Sequence, residues 1–83
     1  MSYSIRVDKK VQDFLYKLSH SISLRIVSKF EKIKENPFHY LKHYEEQYYK
    51  LRIGDYRALI DTDFQKKILL VRIIDKIGRT YKK

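Results

Sequence analysis

The nine residues Tyr49-Lys50-Leu51-Arg52-Ile53-Gly54-Asp55-Tyr56-Arg57 decide the fold of this chain. Polar and apolar side chains alternate before Gly54, which is the period of a β-strand with one buried face. A glycine followed by one further polar residue suits a two-residue hairpin turn with glycine first. The stretch therefore predicts two antiparallel strands joined by a tight turn.

The two-residue turn also predicts the register of this hairpin. Adjacent residues of a strand point to opposite faces, so Leu51 and Ile53 belong to an apolar face that helices are expected to cover. The other face carries Lys50, Arg52 and Arg57, and two of these cations lie directly opposite each other, which is destabilising. The expected pairs are Ile53 with Tyr56, Arg52 with Arg57, Leu51 with Ala58, and Lys50 with Leu59.

Three clustered cations have two interpretations. One is a solvated face without a role, since charged strands also discourage pairing between sheet edges. The other is an anion site, with phosphate as the expected ligand because guanidinium and ammonium groups bind phosphate oxygens well. The repulsion within the cluster favours the anion site.

The segments around the hairpin predict an α+β fold. Residues 3–7 alternate like a strand, and residues 9–18 follow a helical period with Asp8 as its N-cap. A second helix is expected to be capped by Ser21 or Ser23 and to stop at Asn36-Pro37. After residues 38–48, which have no clear pattern, residues 49–53, 56–62 and 68–75 predict three strands, the last in the sheet interior. The expected order is an N-terminal strand, a two-helix hairpin and an antiparallel sheet meander, with the helices packed on one sheet face.

Size and charge narrow the function further. The 83 residues predict a single domain spanning 1–83, and there is no cysteine for a disulfide or a thiolate metal site. Nineteen Lys and Arg against ten Asp and Glu give a net charge of +9, which favours nucleic acid, an anionic membrane surface or an acidic protein as partner. The longest apolar run, residues 68–71, is far shorter than the ~20 residues of a membrane span. The N-terminus lacks the apolar core of a signal peptide, so a cytoplasmic protein is expected.

The last eight residues form a basic tail. Lys76, Arg79 and Lys82 supply positive charge, and Tyr81 supplies a ring on which an unpaired base can stack. This combination is a common way to bind single-stranded RNA.

The histidines and tyrosines offer other candidate sites. His39 and His43 are four residues apart, a spacing that suits a metal on a helix, but they follow a proline and have no glutamate between them. Exposed histidines in a connecting segment are therefore expected, and neither a metal nor another cofactor is predicted. Tyr49 is expected to pack at the sheet border. The neighbouring Tyr40, Tyr44 and Tyr48 are compatible with packing or with a stacking platform.

The stretch from Tyr49 to Arg57 resembles the hairpin signature Y-[RK]-x-[RK]-x-G-x-Y-R of the RelE/ParE toxin superfamily. The flanking strand, the helical hairpin ending in Asn-Pro and the basic tail agree with that family, so the resemblance covers essentially the whole chain. RelE-like toxins are the toxin members of type II toxin–antitoxin pairs. The resemblance implies a metal-independent endoribonuclease that cleaves mRNA on the ribosome by attack of the RNA 2′-OH on the adjacent phosphate. It also implies a small acidic, RelB-like antitoxin as partner.

The resemblance further implies roles for single residues. Lys50 and Arg52 fall on the two basic positions of the first hairpin strand, Arg57 on the arginine of the second strand, and Tyr81 on the tail tyrosine that lies against the substrate base. An arginine that commonly precedes this tyrosine falls on Ile77, so Lys76 or Arg79 is expected to replace it.

Acid–base chemistry distinguishes these roles. Arginine does not release its proton in proteins, so Lys50 is the expected general base; nearby cations and partial burial favour a neutral amine. Arg52 and Arg57 are expected to stabilise charge on the phosphorane, and Arg79 charge on the leaving 5′-oxygen. Two alternatives stay open: a ParE-like toxin that acts on a DNA topoisomerase, and a non-catalytic RNA-binding module.

Overall fold

The computed structural model of the protein describes residues 2–77, which form a five-stranded mixed sheet with helices on one face. This is the predicted α+β architecture. The elements in chain order are β1 (Ser4–Val7), α1 (Lys9–Lys17), α2 (His20–Ile33), α3 (Pro37–Tyr40), β2 (Lys42–Glu45), β3 (Tyr48–Ile53), β4 (Tyr56–Asp63) and β5 (Ile68–Lys76).

The strands are ordered β1-β5-β4-β3-β2 across the sheet. Strands β3 to β5 form the predicted antiparallel meander. The unpredicted strand β2 extends it by pairing antiparallel with β3, whereas β1 pairs with β5 in parallel. The apolar strand β5 is therefore an interior strand, as its sequence predicts.

The register of the β3–β4 hairpin is the predicted one in all four pairs, including Arg52 with Arg57. Gly54 adopts a φ of +57°, a conformation that side chains rarely tolerate, which explains why the turn uses glycine. Leu51, Ile53 and Ala58 are buried beneath the helices. The turn thus assigns each hairpin residue to a face, and Lys50, Arg52 and Arg57 fall on the face away from the helices.

The core lies between the two long helices and the covered sheet face. Val11 of α1 and Ile26 of α2 are almost fully buried, and burial of each such side chain stabilises the fold by roughly 1.5–3 kcal/mol. The other buried side chains are Phe30, Ile33, Pro37, Leu41, Leu51, Ile53, Ala58, Ile60, Thr62, Leu69, Val71 and Ile74.

The break between the long helices lies earlier than predicted. Ser19, not Ser21 or Ser23, occupies the N-cap position of α2, and its carbonyl accepts a hydrogen bond from the Ser23 N–H at 3.0 Å. Extended backbone at Leu18 and Ser19 turns the chain, so a longer break is unnecessary. Asp8 does occupy the N-cap position of α1, but its carboxylate makes no capping hydrogen bond and lies 3.7 Å from Arg72 Nε.

Two elements in residues 38–48 were not predicted. Pro37 ends the α2 segment, as expected, but it also begins α3, because proline fits the first turn of a helix, where its missing N–H is not needed. All four residues of β2 are exposed, so the strand has no hydrophobic alternation to detect. His39 lies in α3 and His43 in β2, both exposed, so they do not share a helical face. Within residues 2–77, no helix is long and apolar enough to cross a membrane.

Candidate functional site

The open face of the sheet arranges its charged side chains in two rows. In the first row, Lys42 of β2 pairs with Lys50 of β3, which pairs with Leu59 of β4. In the second row, Arg52 pairs with Arg57, and Arg57 pairs with Asp75 of β5. Paired residues of antiparallel strands share a face, so the two rows place four cations side by side.

These four cations line a cleft of about 500 Å³, which we name the basic cleft. Its other walls come from α3, which contributes His39 and Tyr40, and from Ile77 just after β5. The Ile77 N–H donates a hydrogen bond to the Asp55 carbonyl at 2.7 Å and so ties the end of β5 to the hairpin turn. The complete lining is His39, Tyr40, Leu41, Lys42, Lys50, Arg52, Arg57 and Ile77.

Local contacts orient the cations. The Arg52 Nε–H donates a hydrogen bond to the Gly54 carbonyl at 3.1 Å, which bends this side chain back towards the turn. The Lys50 Nζ lies 5.1 Å from the centre of the Tyr44 ring, within cation–π distance. Both Lys50 and Arg57 are half-buried, so their charges are less solvated than those of ordinary surface side chains. The cleft thus presents oriented positive charge to a ligand from the solvent side.

Asp75 offsets part of the repulsion in this cluster. It is half-buried and is the cross-strand neighbour of Arg57, on the side away from Arg52. Opposite charges directly across two strands stabilise a sheet by roughly 0.2–1 kcal/mol, whereas like charges destabilise it. The row Arg52–Arg57–Asp75 is therefore less strained than the hairpin sequence by itself indicates.

The predicted site residues divide into three groups. The structure brings Lys50, Arg52 and Arg57 together in the basic cleft and places Ile77, the position of the missing family arginine, on its wall. Lys76 follows Asp75 directly in β5 and is paired with Tyr56. Adjacent residues of a strand point to opposite faces, so Lys76 lies on the other face of the sheet and does not line the cleft. The predicted tail residues Arg79, Tyr81 and Lys82 lie outside the described residues, and their roles stay predictions.

The tyrosines separate into packing and exposed residues. Tyr49 packs among Phe38, Phe64 and His43 at ring distances of 5.1–6.4 Å, as predicted. Tyr40 packs against the core and also lines the basic cleft. Tyr44 is 53% exposed on the open face. It is thus the tyrosine beside Lys50 that has surface available for stacking.

Sequence reasoning did not assign Lys42 to the site, because it comes from the segment without a clear pattern. It also identified Asp75, which lies beside the cleft, only as the end of a strand, and it considered His39 and Tyr40 without placing them near the hairpin cations. No local pattern marks Lys42, because all four residues of β2 are exposed. Within residues 2–77, His, Asp and Glu side chains form no group of three that is suited to hold a metal ion.

Comparison of the sequence with protein-family models and with curated proteins gives no match. Solved structures do match. The Mycobacterium tuberculosis toxin–antitoxin complex RelBE2 contains a chain with a TM-score of 0.82 and 21% identity, covering 92% of this chain and 99% of that chain. A chain of the archaeal RelE–RelB complex from Pyrococcus horikoshii OT3 has a TM-score of 0.80 and 20% identity, covering 95% and 99%. The isolated E. coli RelE toxin has a TM-score of 0.77 and 18% identity, covering 96% and 89%.

These values show that the protein has the RelE toxin fold, as the hairpin signature predicted. The match extends over 92–96% of this chain and 89–99% of the chains compared, so the shared fold includes most of this chain.

Proposed function

We propose that this protein is a RelE-like toxin of a type II toxin–antitoxin pair, an endoribonuclease that cleaves mRNA on the ribosome in the cytoplasm. The observation that carries the proposal is the basic cleft, which joins Lys50, Arg52 and Arg57 with a fourth cation, Lys42. A fold shared with RelE toxins supports it, although function does not follow from fold by itself.

The first task of the cleft is to hold the scissile phosphate. Arg52 and Arg57 lie opposite each other on neighbouring strands, so a phosphate between them can accept hydrogen bonds from both guanidinium groups. Lys42 and Lys50 add charge in the adjacent row. Tyr44, exposed beside Lys50, offers a ring against which a base next to that phosphate can stack.

The second task is the transfer of the phosphoryl group. Lys50 is the proposed general base, which would accept the proton of the 2′-OH while the 2′-oxygen forms a bond to phosphorus. The bond from phosphorus to the 5′-oxygen breaks, which leaves a 2′,3′-cyclic phosphate on one fragment and a 5′-oxygen on the other. This oxygen takes a proton from solvent water and becomes a hydroxyl, and Lys50 returns the proton that it accepted to solvent. Arg52 and Arg57 would stabilise the additional negative charge of the phosphorane. These cations supply the charge that the reaction needs, so no metal is required.

The tail would complete the site. Ile77 lies on the cleft wall where the family resemblance calls for an arginine, and its apolar side chain cannot stabilise a leaving group. We therefore assign charge stabilisation of the 5′-oxygen to Arg79, stacking on the substrate base to Tyr81, and contacts with RNA phosphates to Lys82. Lys76 points to the opposite face of the sheet, so any phosphate that it contacts would lie outside the cleft.

The expected partner is an acidic, RelB-like antitoxin. A chain with a net charge of +9 is bound most readily by a segment whose carboxylates lie near Arg52 and Arg57 and so block the cleft. Expression of the protein in a bacterial host should arrest growth, and co-expression of the antitoxin should restore it.

The decisive experiment is cleavage of mRNA on programmed ribosomes in a cell-free translation system, with cut sites mapped by primer extension. The wild-type protein should cut mRNA, and a 2′-deoxy nucleotide at the cut site should prevent cleavage. Lys17→Ala serves as the matched control for Lys50→Ala, because Lys17 is an exposed lysine of α1 away from the cleft. Growth arrest without any mRNA cleavage would overturn the proposal in favour of a ParE-like topoisomerase poison. Tight RNA binding without cleavage or toxicity would favour a binding module.

A further inference from the structure

A second basic groove lies beside the basic cleft, between α2 and the β3–β4 hairpin. It measures about 290 Å³ and is lined by Arg25, Ser28, Lys29 and Lys32 of α2 and by residues 52–54 of the hairpin. We name it the α2 groove. None of its α2 residues was singled out by the sequence patterns.

The cations of the α2 groove form a stripe along one side of the helix. Arg25, Lys29 and Lys32 stand at positions i, i+4 and i+7, so their side chains emerge on one face over about 10 Å of helix length. Like charges at these spacings destabilise a helix. Within residues 2–77, the ion pair of α2 joins Lys34 to Glu31, and no carboxylate lies within 4 Å of the three groove cations. An unbalanced stripe of this kind suits an anionic ligand.

The α2 groove is continuous with the basic cleft. Arg52 lines both depressions, and the Lys29 Nζ lies 4.8 Å from the centre of the Tyr40 ring, which is part of the cleft wall. Gly54 allows a close approach at the junction, because a Cβ atom there would lie 3.2 Å from Arg25 Nη1. A single strand whose phosphate is bound between Arg52 and Arg57 can therefore continue into the α2 groove.

The composition of the groove favours a nucleic-acid strand over a protein segment. The large apolar side chains that α2 exposes, Leu24 and Val27, are 54% and 42% exposed and lie on another side of the helix. The groove itself offers ammonium, guanidinium, hydroxyl and glycine surfaces. These groups bind phosphates but provide no pocket for an apolar anchor.

We propose that the α2 groove is a phosphate-binding track that holds the RNA strand next to the scissile phosphate. This inference rests on the proposed RNA substrate, but it concerns binding outside the reacting atoms. The ligand is the sugar–phosphate backbone of single-stranded RNA, which the groove would bind independently of base sequence.

The test measures the affinity of purified full-length protein for a fluorescent single-stranded RNA whose 2′-hydroxyls are methylated to prevent cleavage. Fluorescence anisotropy is recorded over a series of KCl concentrations. The triple variant Arg25→Gln, Lys29→Gln, Lys32→Gln should lower the slope of log affinity against log salt by about 2, since each lost phosphate contact to a single strand lowers it by ~0.7.

A matched control removes three positive charges elsewhere: Lys9→Gln, Lys17→Gln, Lys66→Gln, all at exposed positions. The control should change the slope by much less. The charge-preserving triple Arg25→Lys, Lys29→Arg, Lys32→Arg should keep the wild-type slope. If circular dichroism shows that the groove triple does not fold, the single variant Lys32→Gln is compared with the single control Lys17→Gln. The slope of log affinity against log salt should then be lower by ~0.7 for Lys32→Gln than for the control.

Equal slopes for the groove triple and the control would overturn the inference. So would unchanged RNA binding by the groove triple, because the three cations would then contact no RNA phosphate. Failure of the proposed function has a different signature: the wild-type protein would cut no mRNA, while the groove-dependent slope on methylated RNA would persist.

Discussion

Replacement of Asp75 by asparagine should have opposite effects on stability and on RNA binding. Asp75 is the cross-strand neighbour of Arg57 and the carboxylate that lines the open face beside the cleft cations. The carboxylate offsets the repulsion between Arg52 and Arg57 in the folded protein, but it also repels any phosphate bound there. The change Asp75→Asn keeps the side-chain shape and removes the charge.

The magnitude of the binding effect follows from the sheet geometry. Cross-strand neighbours have Cβ atoms about 5 Å apart, so a phosphate held by Arg57 would lie on the order of 7 Å from the Asp75 carboxylate. At this distance the repulsion between two unit charges is about 0.6 kcal/mol at a dielectric constant of ~80 and about 2.4 kcal/mol at ~20. We expect affinity for single-stranded RNA to rise about three- to fiftyfold at low salt and the gain to shrink as salt screens the charges.

The stability effect has the opposite sign. Loss of an opposite-charge neighbour in a sheet costs roughly 0.2–1 kcal/mol. For a domain of this size that lowers Tm by up to about 8 °C. Calorimetry or thermal circular dichroism measures this shift, and fluorescence anisotropy with 2′-O-methylated RNA measures the affinity.

Asp13→Asn is the matched control, because Asp13 is an exposed carboxylate of α1 and its replacement changes the net charge equally. The reasoning is refuted if Asp75→Asn binds RNA no more tightly than Asp13→Asn. In that case no phosphate is bound near Arg57.

Three further predictions concern catalysis, the tail and the core. Lys50→Ala and Arg57→Ala should each lower the rate of mRNA cleavage on the order of a hundredfold, the usual effect of losing a general base or a charge stabiliser, while ribosome binding falls much less. Equal losses of cleavage and binding would show that these residues only bind RNA. A protein truncated after Gly78 should keep its thermal transition but lose cleavage activity, and unchanged cleavage would leave the basic cleft as the whole site. Ile60→Ala should destabilise the fold by roughly 2–5 kcal/mol and Ile60→Val by about 0.5–1.5 kcal/mol, because Ile60 is completely buried; chemical denaturation tests this ranking.

The sequence by itself determined the hairpin and its two faces. A turn of two residues leaves one register between β3 and β4, and a strand has a period of two, so the positions of Lys50, Arg52 and Arg57 followed from local rules. The same local rules identified the two long helices, whose apolar stripes are visible in the sequence. They placed the cap of α2 two to four residues too late, since Ser19, Ser21 and Ser23 are all acceptable caps and packing selects among them.

The tertiary structure decided which distant residues join the hairpin cations. Lys42 lines the cleft because it belongs to β2, a short strand whose four residues are all exposed. The helix α3 forms a wall of the cleft, although its four residues have no periodic pattern. Asp75 meets Arg57 because β5 pairs with β4 in a register that contains a bulge, and the α2 stripe meets Arg52 because of how the helix packs on the sheet. Each of these neighbours depends on contacts between segments far apart in the chain. Turn chemistry and side-chain periodicity describe only local geometry, so these neighbours are settled by packing of the whole fold.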